Sequence, residues 1–247
     1  MLDEIPLRLF HQDSSPIAAD FIDGQVILID KPLRWTSFDV VQKTRNLITH
    51  KLKIKKLKVG HAGTLDPLAT GLMIVCSGKA TKRIREWTDM DKEYIAVIEL
   101  GRTTTSCDLE TETSGLFPFE HITRELLEQT LESFLGETQQ VPPLFSAKKW
   151  QGKRAYTFAR KGSNIELPPN AIHISRLEVI RFEPPVVEIK MRCSKGTYVR
   201  AFARDLGTRL HSGACLTGLR RTAIGNFKVN EALIPELFEQ ALQKLVL

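Results

Sequence analysis

The stretch "ISRLEVIRFEPPVVEIKMRCSKGTYVRAFARDLGTRL", residues 174 to 210, decides the fold class. "ISRLEVIRF" (174 to 182) and "VVEIKMRC" (186 to 193) are rich in β-branched residues, which predicts two short strands joined at "EPP". The period then changes: Val199, Phe202, Ala203, Leu206 and Leu210 recur at helical spacing and predict a helix over 197 to 210, preceded by "CSKG". Strand, turn, strand and helix in that order contain no parallel βαβ unit. The rest of the chain mixes its elements as irregularly. "GQVILIDKP" (24 to 32) reads as a buried strand closed by Pro32. "TSFDVVQKTRNLI" (36 to 48) reads as a helix capped by Thr36 or Ser37, with Val40, Val41, Thr44, Leu47 and Ile48 on one face. "EYIAVIELG" (93 to 101) is strand-like, and "TRELLEQTLESFLG" (123 to 136) is a helix with Leu127, Leu131, Phe134 and Leu135 inward and Gly136 as its stop. "GLMIVCSG" fits a strand and a buried helix equally well. The pattern predicts an α+β domain.

At 247 residues the chain can bury a substantial core without metal or disulfide support. Residues 1 to 21 read as a loosely attached extension and 22 to 247 as the main domain. Between about 138 and 172, "VPP", a basic aromatic stretch and "LPPN" predict an insertion on its surface. Cys76, Cys107, Cys193 and Cys215 stand 31, 86 and 22 residues apart, so no C-x-x-C pair points to zinc or redox chemistry. The six histidines form no pair at metal spacing, and neither a phosphate loop nor a G-x-S-x-G elbow occurs. The expectation is a cytoplasmic protein with reduced thiols, no metal, no cofactor and no membrane span.

Charge is the more informative signal. The net excess is +6, but between Val40 and Arg85 eleven Lys or Arg residues surround a single acid, Asp66. "KLKIKKLK" (51 to 58) holds five lysines, and basic groups recur in "KATKRIR", "SAKKWQGKRAYTFARKG" and "LRR". Interleaved with Trp150, Tyr156 and Phe158, they fit a nucleic-acid surface better than one solvated tail. Asp66 lies in "GHAGTLDPLATG" (60 to 71), before Pro67 and among Gly60, Gly63 and Gly71. Asp-Pro there predicts a helical turn capped by Asp66 and ended by Gly71, with the glycines leaving room for another chain. An Asp-Pro ordinarily does no more than cap. A carboxylate held among cations stays ionised, however, and an ionised carboxylate is a usable nucleophile or base.

"GHAGTLDPLATGLMIVCSGKATK" resembles the catalytic motif of the TruB-type pseudouridine synthases, which act on uridine 55 of the tRNA T-loop. "LIDKPLRWTSFDVV", "KEYIAVIELG", "VPPLFSAKKWQGKRAYTFARKG", "CSKGTYVRAFARDLG" and "LTGLRRTAIGNF" match in the family's order, covering about residues 24 to 230. The resemblance implies the pseudouridine synthase fold, a mainly antiparallel sheet with flanking helices and an RNA-binding cleft. It implies an isomerisation without cofactor, in which the uridine is flipped out, the N1 to C1′ bond breaks and a C5 to C1′ bond forms. Asp66 matches the catalytic aspartate; attack at C1′ and action on the base are both open to it. Tyr94 matches the tyrosine that stacks on the flipped base, Tyr198 a second active-site tyrosine, Leu219 an apolar contact to the base, and Arg200 the arginine that pairs with the aspartate. His61 matches the histidine that enters the place left by the base. Lys31 resembles a lysine that supports the site or binds phosphate, and Asp108 matches an acid at its rim. This chain reads Thr103, Thr104, Thr105 where the family usually has T-D-T, so that loop's hydrogen bonds are open.

Many members carry a C-terminal RNA-binding module. This chain ends at Leu247, soon after the last shared segment, and the module is expected to be absent. The expected partner is the tRNA T-stem-loop, and the protein is expected to act as a monomer without an obligatory protein partner. The alternatives are a guide-directed rRNA pseudouridine synthase subunit and a non-catalytic tRNA-folding protein on the same scaffold.

Overall fold

The structure, a computed structural model, describes residues 8–10, 18–146, 148–159 and 165–245. The chain divides into two compact units, one of Met1–Lys92 with Arg220–Leu247, the other of Glu93–Leu219.

The first unit opens with β1 (Arg8–Phe10), α1 (Ala18–Asp23), β2 (Gln25–Lys31), α2 (Ser37–Lys51), β3 (Val59–Ala62), β4 (Ala69–Ser77) and α3 (Ile84–Asp89). In the second unit follow β5 (Lys92–Leu100), β6 (Arg102–Thr104), β7 (Thr113–Leu116), α4 (Arg124–Glu132), β8 (Gly136–Gln140), β9 (Lys149–Trp150), β10 (Lys153–Arg154) and α5 (Ala155–Ala159). Then come β11 (Asn170–Glu183), β12 (Val186–Cys193), α6 (Val199–Arg209) and β13 (Ala214–Ile224), whose last residues belong to the first unit again, with β14 (Phe227–Lys228) and α7 (Pro235–Gln243). The class is mixed α and β, as the pattern predicted, and the strands are mainly antiparallel, as the resemblance implied.

In the first unit β4 is central. Ile74 pairs with Leu28 of β2 and also with Ala62 of β3, so those strands lie on opposite edges of β4. The apolar run "GLMIVCSG" is therefore strand, not buried helix, and its neighbours explain why: both of its edges have partners to bond. Val26, Leu28, Leu72, Ile74, Trp87 and Ile224 form the core there. The start of α2 is fixed by a capping box. Thr36 Oγ1 accepts from the Asp39 amide at 3.0 Å, and Asp39 Oδ2 accepts from the Thr36 amide at 2.8 Å.

The expected loose extension is anchored where it is described. β1 pairs in parallel with β2, and Phe10 and Phe21 are fully buried, with Phe10 edge-on to both Phe21 and Phe238. Three aromatic rings in contact bury enough apolar surface to hold so short a strand. Residues 1–7 and 11–17 of the extension lie outside the described residues.

In the second unit β11 and β12 form the predicted antiparallel pair, and β8 pairs with the other edge of β11. Along β5, Tyr94, Ala96, Ile98 and Leu100 are buried while Glu93, Ile95, Val97 and Glu99 between them are less so, the alternation of a half-buried strand. α6 follows its predicted stripe, with Phe202 edge-on to Phe134 at 5.0 Å between ring centres. α4 follows a Thr123 cap, close to its expected start, but stops at Glu132, and Gly136 opens β8 and does not end the helix. The insertion is narrower than expected. Asn170 pairs with Gln140, so 138–140 and 170–172 are rungs of the sheet and the excursion runs from 141 to 169. Ala147 and residues 160–164 of its basic stretch lie outside the described residues.

Candidate functional site

Asp66 is half-buried, in the loop between β3 and β4. It does not cap a helix. The Ala69 amide donates to the Asp66 carbonyl at 3.1 Å, which closes a four-residue turn leading directly into β4. Pro67 pre-sets φ for the second position of such a turn as readily as for a first helical residue, so the local sequence allows both. The backbone around Asp66 is held at several points. Ser37 Oγ accepts from the Leu65 amide at 2.8 Å and donates to the Leu65 carbonyl at 3.0 Å. The Pro67 carbonyl accepts from the Arg34 amide at 2.7 Å and from the Lys31 ammonium at 3.4 Å.

Lys31 has no exposure and also donates to the carbonyls of Trp35 at 2.7 Å and Pro32 at 3.0 Å. Burial pulls its pKa down to about 8; the Asp66 carboxylate opposes the fall, and the Arg221 guanidinium adds to it. One ammonium thus joins three backbone carbonyls, those of Pro32, Trp35 and Pro67. His61 faces Val75 across the β3–β4 pair. Burial lowers its pKa, a backbone hydrogen bond with Gly63 raises it and Arg221 lowers it, so the ring is neutral at pH 7. Its Nδ1 is buried with no hydrogen-bond partner among the described residues.

The glycines differ from the expectation. A Cβ on Gly60 would meet Ile84 Cδ1 at 2.7 Å, and one on Gly71, at φ +108°, would run into the backbone of Arg221. Those two positions let protein approach protein and leave no room for a ligand. The "LRR" segment also departs from the basic-surface reading. Arg220 forms a two-pronged pair with Asp30, at 2.6 and 3.1 Å. Arg221 is 1% exposed; its Nε donates to the Leu72 carbonyl at 2.7 Å and its Nη2 to the Gly63 carbonyl at 3.1 Å. Among the other basic residues, Lys79 and Arg83 pair with Asp23 and Glu86. Lys53, Lys55, Lys56 and Lys58 point into solvent, whereas Lys51 donates to the Gln243 carbonyl.

The second unit holds the remaining candidates. Tyr94 is buried on β5, and Leu219 is half-buried on β13. Tyr198 precedes α6 as its cap residue, and the Gln140 side chain grips its backbone: Oε1 accepts from the Tyr198 amide at 2.8 Å and Nε2 donates to its carbonyl at 3.1 Å. Arg200 is 5% exposed in the first turn of α6. Its Nε lies 3.6 Å from Asp108 Oδ2, and its Nη1 donates to the Ser106 carbonyl at 3.3 Å. Asp108 itself is buried. In the three-threonine loop Thr104 Oγ1 donates to the Asp108 carbonyl at 2.6 Å, Thr103 Oγ1 bonds Ser114 Oγ, and Ser106 Oγ bonds Thr111 Oγ1. The segment is thus closed by hydroxyl hydrogen bonds. A cleft of about 540 Å³ opens beside Thr103–Thr105, Pro142, Pro143 and Arg204, and none of the candidate residues lines it.

Ser37 and Gln140 had no functional reading in the sequence, and Arg221 had only that of a basic surface residue. Each acts on backbone far away in the chain, which leaves no local signal. Among the described residues no group of three His, Cys, Asp or Glu could hold a metal ion, and no helix is long and apolar enough to cross a membrane. All four cysteines are free and buried, with Cys76 pushed up to about 12 by burial.

Residues 49–199 match the family model described as TruB family pseudouridylate synthase, N-terminal domain. The chain belongs to the TruB family. The chain is 54% identical over 227 residues to a tRNA pseudouridine synthase B of Parabacteroides distasonis, covering 92% of this chain and 97% of that one. With the enzyme of the same name from Flavobacterium johnsoniae it shares 48% identity over 225 residues, 91% of this chain and 98% of that one. Among solved structures, a chain in a Cbf5-Nop10-Gar1 complex is similar with a TM-score of 0.67 at 27% identity, over 94% of this chain and 63% of that one. A chain in an H/ACA ribonucleoprotein bound to a substrate RNA with 2′-deoxyuridine is similar with a TM-score of 0.62 at 26% identity, over 89% of this chain and 52% of that one. This TruB-family chain therefore spans under two thirds of those structural relatives and nearly all of the two enzymes.

Proposed function

We propose that this chain is a tRNA pseudouridine synthase that converts uridine 55 of the T-loop to pseudouridine, with the Asp66 carboxylate as nucleophile toward the flipped-out uridine. The carrying observation is the 54% identity, over 97% of its length, to a relative named tRNA pseudouridine synthase B. The tRNA in that name favours this reading over a guide-directed one. In the isomerisation the N1 to C1′ bond breaks, the base turns, the C5 to C1′ bond forms, C5 loses a proton and N1 gains one, so no atom is added or removed. Asp66 is suited to its part: it is half-buried on a loop held by bonds at Leu65 and Pro67. A neutral His61 is suited to move beside an uncharged base, because it costs no ion desolvation. Tyr94, Tyr198, Leu219 and Arg200 are proposed as substrate-binding residues on the resemblance. The burial of Arg200 and its ion pair with Asp108 support a fixed role for both. The reaction runs in the cytoplasm on a monomer, and the exposed lysines of 53 to 58 meet tRNA phosphates.

The test uses an unmodified tRNA transcript, the purified chain alone, and its Asp66→Asn variant. Wild type is expected to give pseudouridine at position 55 and the variant none. Wild type that binds tRNA and leaves every uridine unchanged would refute the proposal, and product only after a second protein is added would refute the lone-monomer part.

A further inference from the structure

The loop that carries Asp66 is bonded at every second residue. Gly63 gives its carbonyl to Arg221, Leu65 gives both its amide and its carbonyl to Ser37, and Pro67 gives its carbonyl to Arg34 and Lys31. One hydroxyl that both accepts from and donates to the same peptide residue removes two of that residue's freedoms at once. Leu65 is the residue directly before Asp66. Ser37 sits 4% exposed in the first turn of α2, beside the Thr36–Asp39 capping box, and its two bonds to Leu65 involve neither capping residue. Arg221 acts at the other side of the loop. Its guanidinium reaches Leu72 on β4 and Gly63 in the loop at once, and ties the loop's entry to the strand that follows Asp66. Gly63 stands at φ +84° with the site of a Cβ 3.5 Å from Arg221 Nη1, so the chain turns there directly over the guanidinium.

Resting on the function proposed above, we infer that Ser37, with Arg221 as a second point, is a positioning residue: it touches no substrate, and fixes the backbone next to Asp66 so that the carboxylate meets the uridine in one geometry. Misplacement of a reacting group by about 1 Å can cost about 100-fold in rate. Ser37→Ala deletes both bonds to Leu65 with the loss of a single oxygen.

The decisive comparison is Ser37→Ala against Thr36→Ala, which removes the α2 cap one residue away and leaves both Leu65 bonds in place. Both variants are expected to lower the melting temperature. Only Ser37→Ala is expected to lower kcat, by about 10- to 100-fold, with the KM for tRNA and the equilibrium tRNA affinity unchanged. In the free protein only Ser37→Ala should speed hydrogen exchange at the Leu65 amide. Arg221→Lys, which keeps the charge and a donor, should recover part of the rate lost in Arg221→Gln. Equal kcat losses in Ser37→Ala and Thr36→Ala would reduce Ser37 to a general stability role and overturn the inference. So would a Ser37→Ala protein with unchanged kcat or an unchanged Leu65 amide. A wild type without activity on tRNA would defeat the proposed function, and the Leu65 exchange would still decide whether Ser37 holds the loop.

Discussion

Replacing Lys31 by Met should change how stability depends on pH, and the burial of Lys31 sets the size of the effect. An exposed lysine has a pKa near 10.5, and in the folded protein that of Lys31 is about 8. Between those values the unfolded chain holds a proton there that the folded chain has released, so folding becomes more favourable as pH rises. Below pH 8 the ammonium is charged in both states and the full cost of burying it is present; above 10.5 the cost is gone. The gap of about 2.5 units at about 1.36 kcal/mol each gives about 3 kcal/mol of stability gained by the wild type across that window. Lys31→Met has no such proton. It also leaves the Trp35, Pro32 and Pro67 carbonyls without their ammonium, which lowers its stability at every pH but adds no slope. Urea unfolding at pH 7.5 and pH 10 for both proteins isolates the term, because tyrosines and cysteines that titrate in the same window contribute equally to both. A difference in pH dependence of about 2 to 3 kcal/mol is expected. Identical slopes would refute the reasoning and mean that Lys31 keeps its charge in the fold up to its unfolded pKa.

Asp108→Ala should cost about 3 to 5 kcal/mol in urea unfolding, since it strips the carboxylate from a buried pair and leaves the Arg200 guanidinium behind; a loss under about 1 kcal/mol would mean that water or other groups carry the Arg200 charge. Changing Lys53, Lys55, Lys56 and Lys58 together to Gln should weaken tRNA binding and reduce the slope of log K against log salt by about 0.7 to 0.9 for each lysine that meets a phosphate. An unchanged slope would assign all four to solvent alone.

Much of the fold was legible because its signals are periodic. The alternation along β5 and the stripe of α6 each come from a face that must be buried, and a face leaves its period in the sequence. Asp66 stood out for a comparable reason, as one acid among eleven cations from Val40 to Arg85. What escaped has no period. Arg220 and Arg221 count as surface charge in any composition, yet one pairs with Asp30 and the other is enclosed, because their partners lie about 150 residues or more earlier in the chain. Gly71 looked like a helix stop and is a point of close approach between strands, since a missing Cβ serves either need. Pro67 is compatible with a turn and with a helix, and only the pairing of β4 from Ala69 onward selects the turn. Ser37 looked like one more helix-start hydroxyl. Its bonds to Leu65 depend on a docking 28 residues away.

The rung between Gln140 and Asn170 has a consequence for how such a protein can diverge. Both ends of the 141 to 169 excursion leave the sheet side by side, so the strands bear the same separation whatever hangs between them. Doubling its length would add only about 0.6 kcal/mol of closure entropy. Its exposed positions can thus change in length and charge while β8 and β11 keep their register, with Ala155 and Leu167 among the buried points that a replacement has to keep. A graft between relatives joined at this rung is the natural place to exchange one such segment for another.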